Sequence, residues 1–171
     1  MKPRVDSSPS EPTARESNGG ATRIYPIALN LRGVCVLAVG GGRIAERKVR
    51  SLLFAGARVV LVAPSLTPGL EALAQAHPLT IRRRAYRTRD LSRAIRLCFA
   101  ATDNRAVNAR VARDARSRRV WVNVADDART CEFHVPAVLR RRGTTIAIST
   151  GGRSPARAKA LRDRLAQQKW I

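Results

Sequence analysis

One stretch decides the fold of this chain: VCVLAVGGGRIA, which covers residues 34–45. Its first half is an apolar run typical of a buried parallel strand, and its second half opens a helical pattern. Gly40, Gly42 and Ala45 fill the three small positions of the G-x-G-x-x-G/A dinucleotide fingerprint. They allow a sharp turn, close approach of a pyrophosphate, and tight packing of helix on strand, in that order. We therefore predict a nucleotide-binding turn, with an ordinary tight turn as the alternative.

Outward from this stretch, strand-like and helix-like segments alternate. Short apolar runs are each followed by an amphipathic stretch, which is typical of a parallel sheet covered by helices. The sequence thus predicts an α/β fold with a Rossmann-type doubly wound parallel sheet. We expect strands at 34–39, 58–63, 79–83, 97–101 and 120–124, helices at 43–55, 68–75 and 105–116, and a helical turn that opens at Asp90.

The two ends of the chain depart from this pattern. The first 23 residues are rich in Ser, Pro, Glu, Thr and Gly and have no apolar periodicity, so we expect a disordered leader. After the last parallel strand, two strand-like segments around an arginine-rich turn predict an antiparallel hairpin, and Ser154 is a plausible N-cap for a basic helix. The predicted hairpin strands are 133–139 and 144–149, and the helix runs to about residue 168. The leader, the Rossmann domain and the hairpin-plus-helix region are expected at 1–23, 24–130 and 131–171.

The composition is strongly basic: 33 Lys and Arg residues oppose 12 Asp and Glu residues, for a formal net charge of +21. Four of the basic residues are lysines and the rest are arginines. Because arginine suits bidentate capture of carboxylates and phosphates, the excess indicates either an anionic partner or a bias in coding composition. Aromatic residues make up 4% and do not alternate with the arginines, which argues against a base-stacking nucleic-acid surface.

The sequence also bears on compartment and metal content. No apolar run approaches the roughly 18 residues that a membrane span needs, and the N-terminus has no apolar signal region. We therefore expect a cytoplasmic protein that does not enter a membrane. The three cysteines are far apart and predict neither a disulfide framework nor a zinc site. The two histidines, His77 and His134, are too few for a ligand cluster, so we predict no bound metal; only His134 could reach the site.

Polar residues follow three of the predicted strands, where ligands bind in open parallel sheets. These segments are 40–44, 102–104 and 123–127. Asp103 is explained as well by a turn or a helix cap as by a ligand contact. For the adjacent carboxylates Asp126 and Asp127 we favour a general base or a transient cation contact, with a turn or a helix cap as the structural alternative. The turn at 150–155 offers N–H groups and hydroxyls to an anion, or it is a capped turn without a ligand.

Eight motifs follow one another along the chain: VGGGRIAERK (39–48), GA (56–57), VAP (62–64), AATD (100–103), VN (107–108), NVAD (123–126), FHVPA (133–137) and ISTGGRSP (148–155). In this order and at this spacing they resemble the precorrin-2 dehydrogenase/sirohydrochlorin ferrochelatase family, the NAD-dependent module of siroheme synthase. The resemblance extends from residue 25 to about residue 168.

The resemblance implies oxidation of precorrin-2 to sirohydrochlorin, in which NAD⁺ takes a hydride while a base removes a proton. It implies that the tetrapyrrole, with its eight carboxylates, is the partner of the arginine excess. It also implies a homodimer joined through residues 133–155, and Asp126 matches the family's catalytic aspartate. The expected cofactor contacts are Gly40, Gly41, Gly42, Arg43, Ile44, Pro64, Ser65, Thr102 and Asp103, and the expected substrate contacts are Asn123, Thr150, Gly151 and Ser154.

Three departures from the family pattern bear on these expectations. Ala63, Pro64 and Ser65 stand where a carboxylate would hold the adenosine ribose, but the family shares this feature and NAD remains favoured over NADP. Thr150 stands where some relatives have a serine. The chain ends at Ile171, whereas relatives usually continue into helices that enclose the tetrapyrrole, which leaves Fe²⁺ insertion in the same pocket open. The alternative from a different class is a non-catalytic NAD(H)-binding protein with a basic interaction surface.

Overall fold

The computed structural model describes residues 24–168, so the predicted leader at 1–23 lies outside the described residues. The strands within this range are β1 (Cys35–Val39), β2 (Arg58–Val62), β3 (Leu79–Arg82), β4 (Ile95–Ala100), β5 (Trp121–Val124), β6 (Ala137–Arg141) and β7 (Thr144–Ile148). The α-helices in the same range are α1 (Arg43–Phe54), α2 (Pro68–Ala76), α3 (Arg105–Ser117) and α4 (Pro155–Gln167). Short 3₁₀ turns lie at Thr88–Asp90 and Ala128–Thr130.

Strands β1 to β5 form one parallel sheet in the order β3-β2-β1-β4-β5, with β1 at its centre. The chain first winds outward from β1 through β2 and β3, and then crosses over to β4 and β5 on the other side. The carboxyl ends of all five strands therefore lie at one edge, and the order reverses between β1 and β4. This arrangement confirms the predicted Rossmann-type sheet and places the glycine turn after β1 at the switch point, where such folds bind ligands.

Two apolar clusters, one on each face of the sheet, form the core. Helices α1 and α2 bury Val49, Leu52 and Leu70 against one face, while α3 buries Val111 and Ala115 against the other. Alternate residues of β1 belong to different clusters, so this strand is covered on both sides. The two-sided burial explains why β1 reads as a continuous apolar run rather than as an alternating pattern.

The C-terminal region consists of the β6–β7 hairpin with α4 packed against it. Arg142 and Gly143, with φ of 47° and 79°, make the two-residue turn that joins the strands. Ser154 caps α4 as predicted, because its hydroxyl oxygen accepts a hydrogen bond from Arg157 N at 3.2 Å. Within residues 24–168, no helix combines the length and the apolar character needed to cross a membrane.

The predicted first strand of the hairpin begins too early. Residues 133–136 are irregular, and β6 starts only at Ala137. The Phe133 carbonyl accepts a hydrogen bond from Asn123 Nδ2 at 2.9 Å, which takes it out of the strand ladder. Pro136 has no N–H with which to pair. The side-chain contact with β5 therefore overrides the strand propensity of this segment.

The helical turn predicted to open at Asp90 ends there instead. The Asp90 side chain is completely buried, and it accepts hydrogen bonds from Arg84 and Arg82 and from the Arg87 N–H. Burial alone would raise the pKa of this carboxyl, but the bonds from Arg84, Arg87 and Arg82 outweigh it and hold the pKa far below its usual range. Asp90 is thus a buried ionic anchor for the end of β3 rather than a helix start.

Candidate functional site

The turn after β1 keeps its shape through backbone contacts that a side chain would block. Gly40 has a φ of 124°, and a Cβ built on it would lie 2.2 Å from Ala101 O. The Gly40 N–H donates to Val62 O at 3.0 Å. The turn therefore lies against the ends of both neighbouring strands, β2 and β4, and only glycine fits its first position.

Gly41 is closed off by the loop that follows β2. A Cβ at this position would lie 1.8 Å from Ser65 O, and Gly41 O accepts a hydrogen bond from Thr67 N at 3.0 Å. The Thr67 hydroxyl in turn donates to Glu46 Oε2 in the first turn of α1, at 2.6 Å. The loop that carries Pro64 and Ser65 is thus fixed against the glycine turn, which brings two groups of predicted cofactor contacts together.

Gly42 is the open position of the turn. It is the N-cap of α1 with a φ of −86°, and apart from its own atoms and its two chain neighbours no described atom lies within 4 Å of a Cβ built on it. Arg43 and Ile44 are exposed, while Ala45 is buried against the sheet. The first-turn N–H groups have no acceptor within the helix, and the helix dipole makes this end positive. Gly42 therefore offers the space, the donors and the potential that a phosphate group requires.

A buried asparagine on α3 connects the end of β4 with Asp126. Asn108 is 1% exposed, and its Oδ1 accepts hydrogen bonds from Thr102 N and Oγ1 at 3.1 and 2.8 Å. Its Nδ2 donates to Asp126 Oδ1 at 2.9 Å. Asp126 Oδ2 lies 3.8 Å from Arg105 Nε, and the Asp126 side chain is 29% exposed. The carboxylate is thus oriented by Asn108 and remains partly open to solvent, as a base that meets a substrate must be.

The other two aspartates predicted near this edge have different surroundings. Asp103 is exposed on the turn after β4. Asp127 is the N-cap of a 3₁₀ turn, where its Oδ1 accepts a hydrogen bond from Arg129 N at 3.0 Å. A structural role as a cap thus accounts for Asp127, whereas Asp126 is held by the buried amide of Asn108 on α3.

Lys48 on α1 is not among the residues that the sequence predicts for the site, but the structure places it beside Asn123. Its Nζ donates to Asn123 Oδ1 at 2.7 Å and lies 5.1 Å from the centre of the Phe99 ring. Burial, reinforced by the charge of Arg47, lowers the pKa of Lys48 to about 8, and Cys131 acts weakly in the opposite direction. A sequence signal did exist, because residue 48 shares one helix face with the buried residues 45, 49 and 52.

Asn123 is 6% exposed, and both ends of its amide are engaged. Its Oδ1 accepts from Lys48, and its Nδ2 donates to Phe133 O at 2.9 Å. Phe133 also packs edge-on against Phe99, with ring centres 5.4 Å apart. The predicted substrate contact of Asn123 therefore stays a prediction, and its observed contacts are with α1 and with the segment that leads to the hairpin.

The turn at residues 150–155 forms a closed hydrogen-bonded unit. Thr150 Oγ1 donates to Ser154 O and accepts from Ser154 N, both at 3.0 Å, and Ser154 Oγ accepts from the first turn of α4. Gly151 and Gly152 have φ of 63° and 78°. A Cβ built on Gly152 would lie 3.0 Å from the His134 ring. The hydroxyls predicted to bind substrate thus already serve the turn, and His134 lies against it.

The structure therefore gathers the predicted cofactor residues of the glycine turn, the loop after β2 and the end of β4 at one sheet edge, beside Asp126. The turn at 150–155 connects to this edge through His134 and the residues before it. Among the side chains of residues 24–168, no group of three or more His, Cys, Asp or Glu residues is placed to hold a metal ion.

Comparison with known proteins agrees with this geometry. A family model described as "Putative NAD(P)-binding" matches residues 27–137, and one described as "Sirohaem biosynthesis protein central" matches residues 145–168. The solved structure titled "SirC, precorrin-2 dehydrogenase" superimposes with a TM-score of 0.75 at 30% identity, over 86% of this chain and 72% of that one.

Curated relatives at higher identity are longer proteins. The siroheme synthase of Xylella fastidiosa (strain M12) is 42% identical over 145 residues, which is 85% of this chain and 30% of that protein. The siroheme synthase of Methylococcus capsulatus is 44% identical over 140 residues, 82% of this chain and 29% of that protein. The chain thus spans about three tenths of the length of these curated relatives.

Proposed function

Because the chain belongs to the NAD(P)-binding family of siroheme biosynthesis that includes precorrin-2 dehydrogenase, we propose that it oxidises precorrin-2 to sirohydrochlorin with NAD⁺. The observation that carries the proposal is the pairing of an open helix N-cap at Gly42 with the oriented carboxylate of Asp126 at the same sheet edge. The first suits a nucleotide pyrophosphate, and the second suits a base.

The cradle around Gly42 fits a dinucleotide. The space above its Cα is free of described atoms, while Gly40 and Gly41 are packed against Ala101 and Ser65. When bound, the nicotinamide ring supplies the hydride acceptor. We propose NAD⁺ rather than NADP⁺ because the sequence resembles NAD-dependent enzymes, although Pro64 and Ser65 replace the usual ribose carboxylate.

In the proposed mechanism, Asp126 takes the proton that precorrin-2 loses when its hydride leaves. The two losses together account for the two hydrogens that separate precorrin-2 from sirohydrochlorin. Asn108 Nδ2 fixes the orientation of the carboxylate, and the Arg105 guanidinium lies 3.8 Å from its other oxygen. Proton transfer to a positioned base of this kind contributes about 10²–10⁴-fold to a rate.

The substrate proposal rests on charge. A tetrapyrrole with eight carboxylates suits a protein with a net charge of +21 whose basic residues are mostly arginines. We propose Asn123, Thr150, Gly151 and Ser154 as substrate contacts, in positions that the bonds of Asn123 and Thr150 within the protein define.

We further propose that the protein works in the cytoplasm as a homodimer joined through residues 133–155. The resemblance supports the dimer, and the free thiols of Cys35, Cys98 and Cys131 fit a reducing compartment. Size-exclusion chromatography with light scattering tests the dimer, because a purely monomeric mass at micromolar concentration contradicts it.

The decisive experiment follows the absorbance of precorrin-2 with NAD⁺, with and without Fe²⁺. We expect Asp126→Asn to lower turnover by at least about 100-fold and to leave NAD⁺ affinity nearly unchanged. Asp127→Asn is the matched control: it removes the neighbouring charge, but asparagine still caps the 3₁₀ turn, so turnover should be retained. Full turnover by the Asp126 variant, or an equal loss in the control, contradicts the assignment, and the Fe²⁺ arm reports whether iron insertion accompanies oxidation.

A further inference from the structure

The contacts of Lys48 connect two parts of the proposed site that are distant in sequence. Lys48 lies on α1, whose N-terminus provides the nucleotide position, and it reaches Asn123 on the edge strand β5. Asn123 lies three residues before Asp126. The amine is half-buried over the Phe99 ring, so its bond to Asn123 is shielded from water on that side.

The Lys48 bond also settles which way the Asn123 amide points. An ammonium group can only donate, and so the amide must turn its oxygen towards Lys48. Its Nδ2 then faces the Phe133 carbonyl and donates to it. Without Lys48, the Asn123 amide oxygen loses its hydrogen-bond donor. The bond from Asn123 Nδ2 to the Phe133 carbonyl is then held less firmly.

Phe133 belongs to what we call the crossing segment, residues 131–136, which leads from the sheet to the hairpin. This segment is attached to β5 at several points: Glu132 N donates to Val122 O at 2.9 Å, and Val124 N donates to Cys131 Sγ at 3.1 Å. His134, which follows Phe133 in the crossing segment, lies against Gly152 in the turn at residues 150–154. A continuous series of contacts therefore runs from the cofactor helix to the proposed substrate turn.

We propose that Lys48 is a positioning residue, which holds the crossing segment, and through it the turn at residues 150–154, in register with the helix that binds the nucleotide. This inference rests on the proposed function, since it assigns the two ends of the contact series to cofactor and substrate. Lys48 does not need to touch either ligand, because it acts through Asn123 and Phe133.

The positioning role has a pH signature. The ammonium form of Lys48 makes the stronger bond to Asn123 Oδ1, and its pKa of about 8 means that this form is lost as pH rises through that value. The charged and titratable groups that bear on it are Arg47 on its own helix and Cys131 on the crossing segment. An arginine at position 48 keeps its charge throughout this range.

The experiment compares Lys48→Met, Lys48→Arg and the control Arg47→Met, each first checked for a folded far-UV CD spectrum. Methionine keeps the apolar stem and removes the donor. Arg47 is the exposed neighbour, so its variant removes the same charge outside the contact series. For each protein, the KM for precorrin-2 and the dissociation constant of NAD⁺ are measured, together with amide hydrogen exchange in peptides that cover residues 131–136 and 149–154.

We expect Lys48→Met to raise the KM for precorrin-2 about tenfold, to change NAD⁺ affinity less than about twofold, and to accelerate exchange in both peptides. In the wild type, kcat/KM should fall above about pH 8. Lys48→Arg should bring the KM for precorrin-2 most of the way back to the wild-type value, and it should shift the fall in kcat/KM to higher pH. Arg47→Met should leave the KM and the hydrogen exchange unchanged. The fall in kcat/KM should then occur at slightly higher pH, because one positive charge beside Lys48 is gone.

Unchanged exchange in the Lys48→Met protein overturns the inference, whatever the activity. A parallel rise in the KM and in the NAD⁺ dissociation constant also overturns it, because it would place Lys48 in the cofactor site. An equal effect of Arg47→Met overturns it too, because the loss of any positive charge in this part of α1 would then explain the result. Failure of the wild type to oxidise precorrin-2 instead removes the proposed function, and hydrogen exchange still decides whether Lys48 holds the crossing segment.

Discussion

Alanine substitutions at Gly41 and Gly42 separate the packing of the glycine turn from its proposed ligand contact. A Cβ on Gly41 would lie 1.8 Å from Ser65 O, about half of an ordinary contact distance. That oxygen belongs to the backbone of a loop that is itself bonded to Gly41 O through Thr67 N, so it cannot retreat alone. We expect Gly41→Ala to cost about 3 kcal/mol or more, the upper end for overpacking, which corresponds to a fall in Tm of roughly 10 °C.

Gly42→Ala should behave in the opposite way. Its φ of −86° suits any residue, and no described atom beyond its chain neighbours lies within 4 Å of the new Cβ. Alanine is a poorer N-cap than glycine, so we expect a loss of stability of no more than about 1 kcal/mol. A methyl group at this point occupies the space that a pyrophosphate needs, and we expect NAD⁺ affinity to fall at least about tenfold, or roughly 1.4 kcal/mol.

Thermal unfolding and calorimetric titration with NAD⁺, at one salt concentration, measure both effects on the same samples. If Gly41→Ala has a Tm within a degree or two of the wild type, the predicted overpacking against Ser65 is wrong. If Gly42→Ala binds NAD⁺ as tightly as the wild type does, the proposed ligand contact is wrong, since the pyrophosphate then does not lie over Gly42.

Two further predictions concern stability. Asp90→Asn should cost about 2 kcal/mol in urea unfolding at neutral pH, because it removes the charge that pairs with Arg82 and Arg84. The native pKa of Asp90 is lowered, so its contribution to the free energy of unfolding is present above the unfolded carboxyl pKa of about 3.9 and is lost as pH falls below it. The variant should therefore lose less stability than the wild type between pH 5 and pH 3. Parallel profiles of stability against pH for the two proteins would contradict this. Arg119→Gly should raise stability by about 1 kcal/mol in the same assay, because Arg119 follows α3 with a φ of 56° that glycine adopts without strain. A decrease would show that the arginine side chain makes up for the backbone strain.

The parallel sheet could be predicted from the sequence because its signals are local. Strands β1, β2 and β4 are largely buried apolar runs, and the helices that cover them carry their own periodicity, so β1, α1 and β2 occur close to their expected positions. The roles of the three glycines are less accessible. The open space at Gly42 suits its predicted contact with a pyrophosphate, which stays a prediction, whereas the need for glycine at position 41 comes from Ser65, which is distant in sequence.

The missed features share one physical cause, which is the satisfaction of polar groups by partners far along the chain. Lys48 meets Asn123 across 75 positions, and the Phe133 carbonyl is removed from its predicted strand by the same asparagine. Asp90 is drawn into the interior by arginines from β3 and the segment after it. No local pattern encodes such pairings, because a charged residue in an isolated helix or turn is expected to face water.

The backbone bonds that hold the glycine turn to its neighbours also bear on the kinetics of nucleotide capture. Gly40 N is fixed to Val62 O and Gly41 O to Thr67 N by bonds within the protein itself, none of which needs a nucleotide. The turn thus has no ordering step to complete on encounter, and association should proceed at the rate at which the ligand finds the site. Differences in affinity among variants of the nucleotide contacts should therefore appear as differences in residence time.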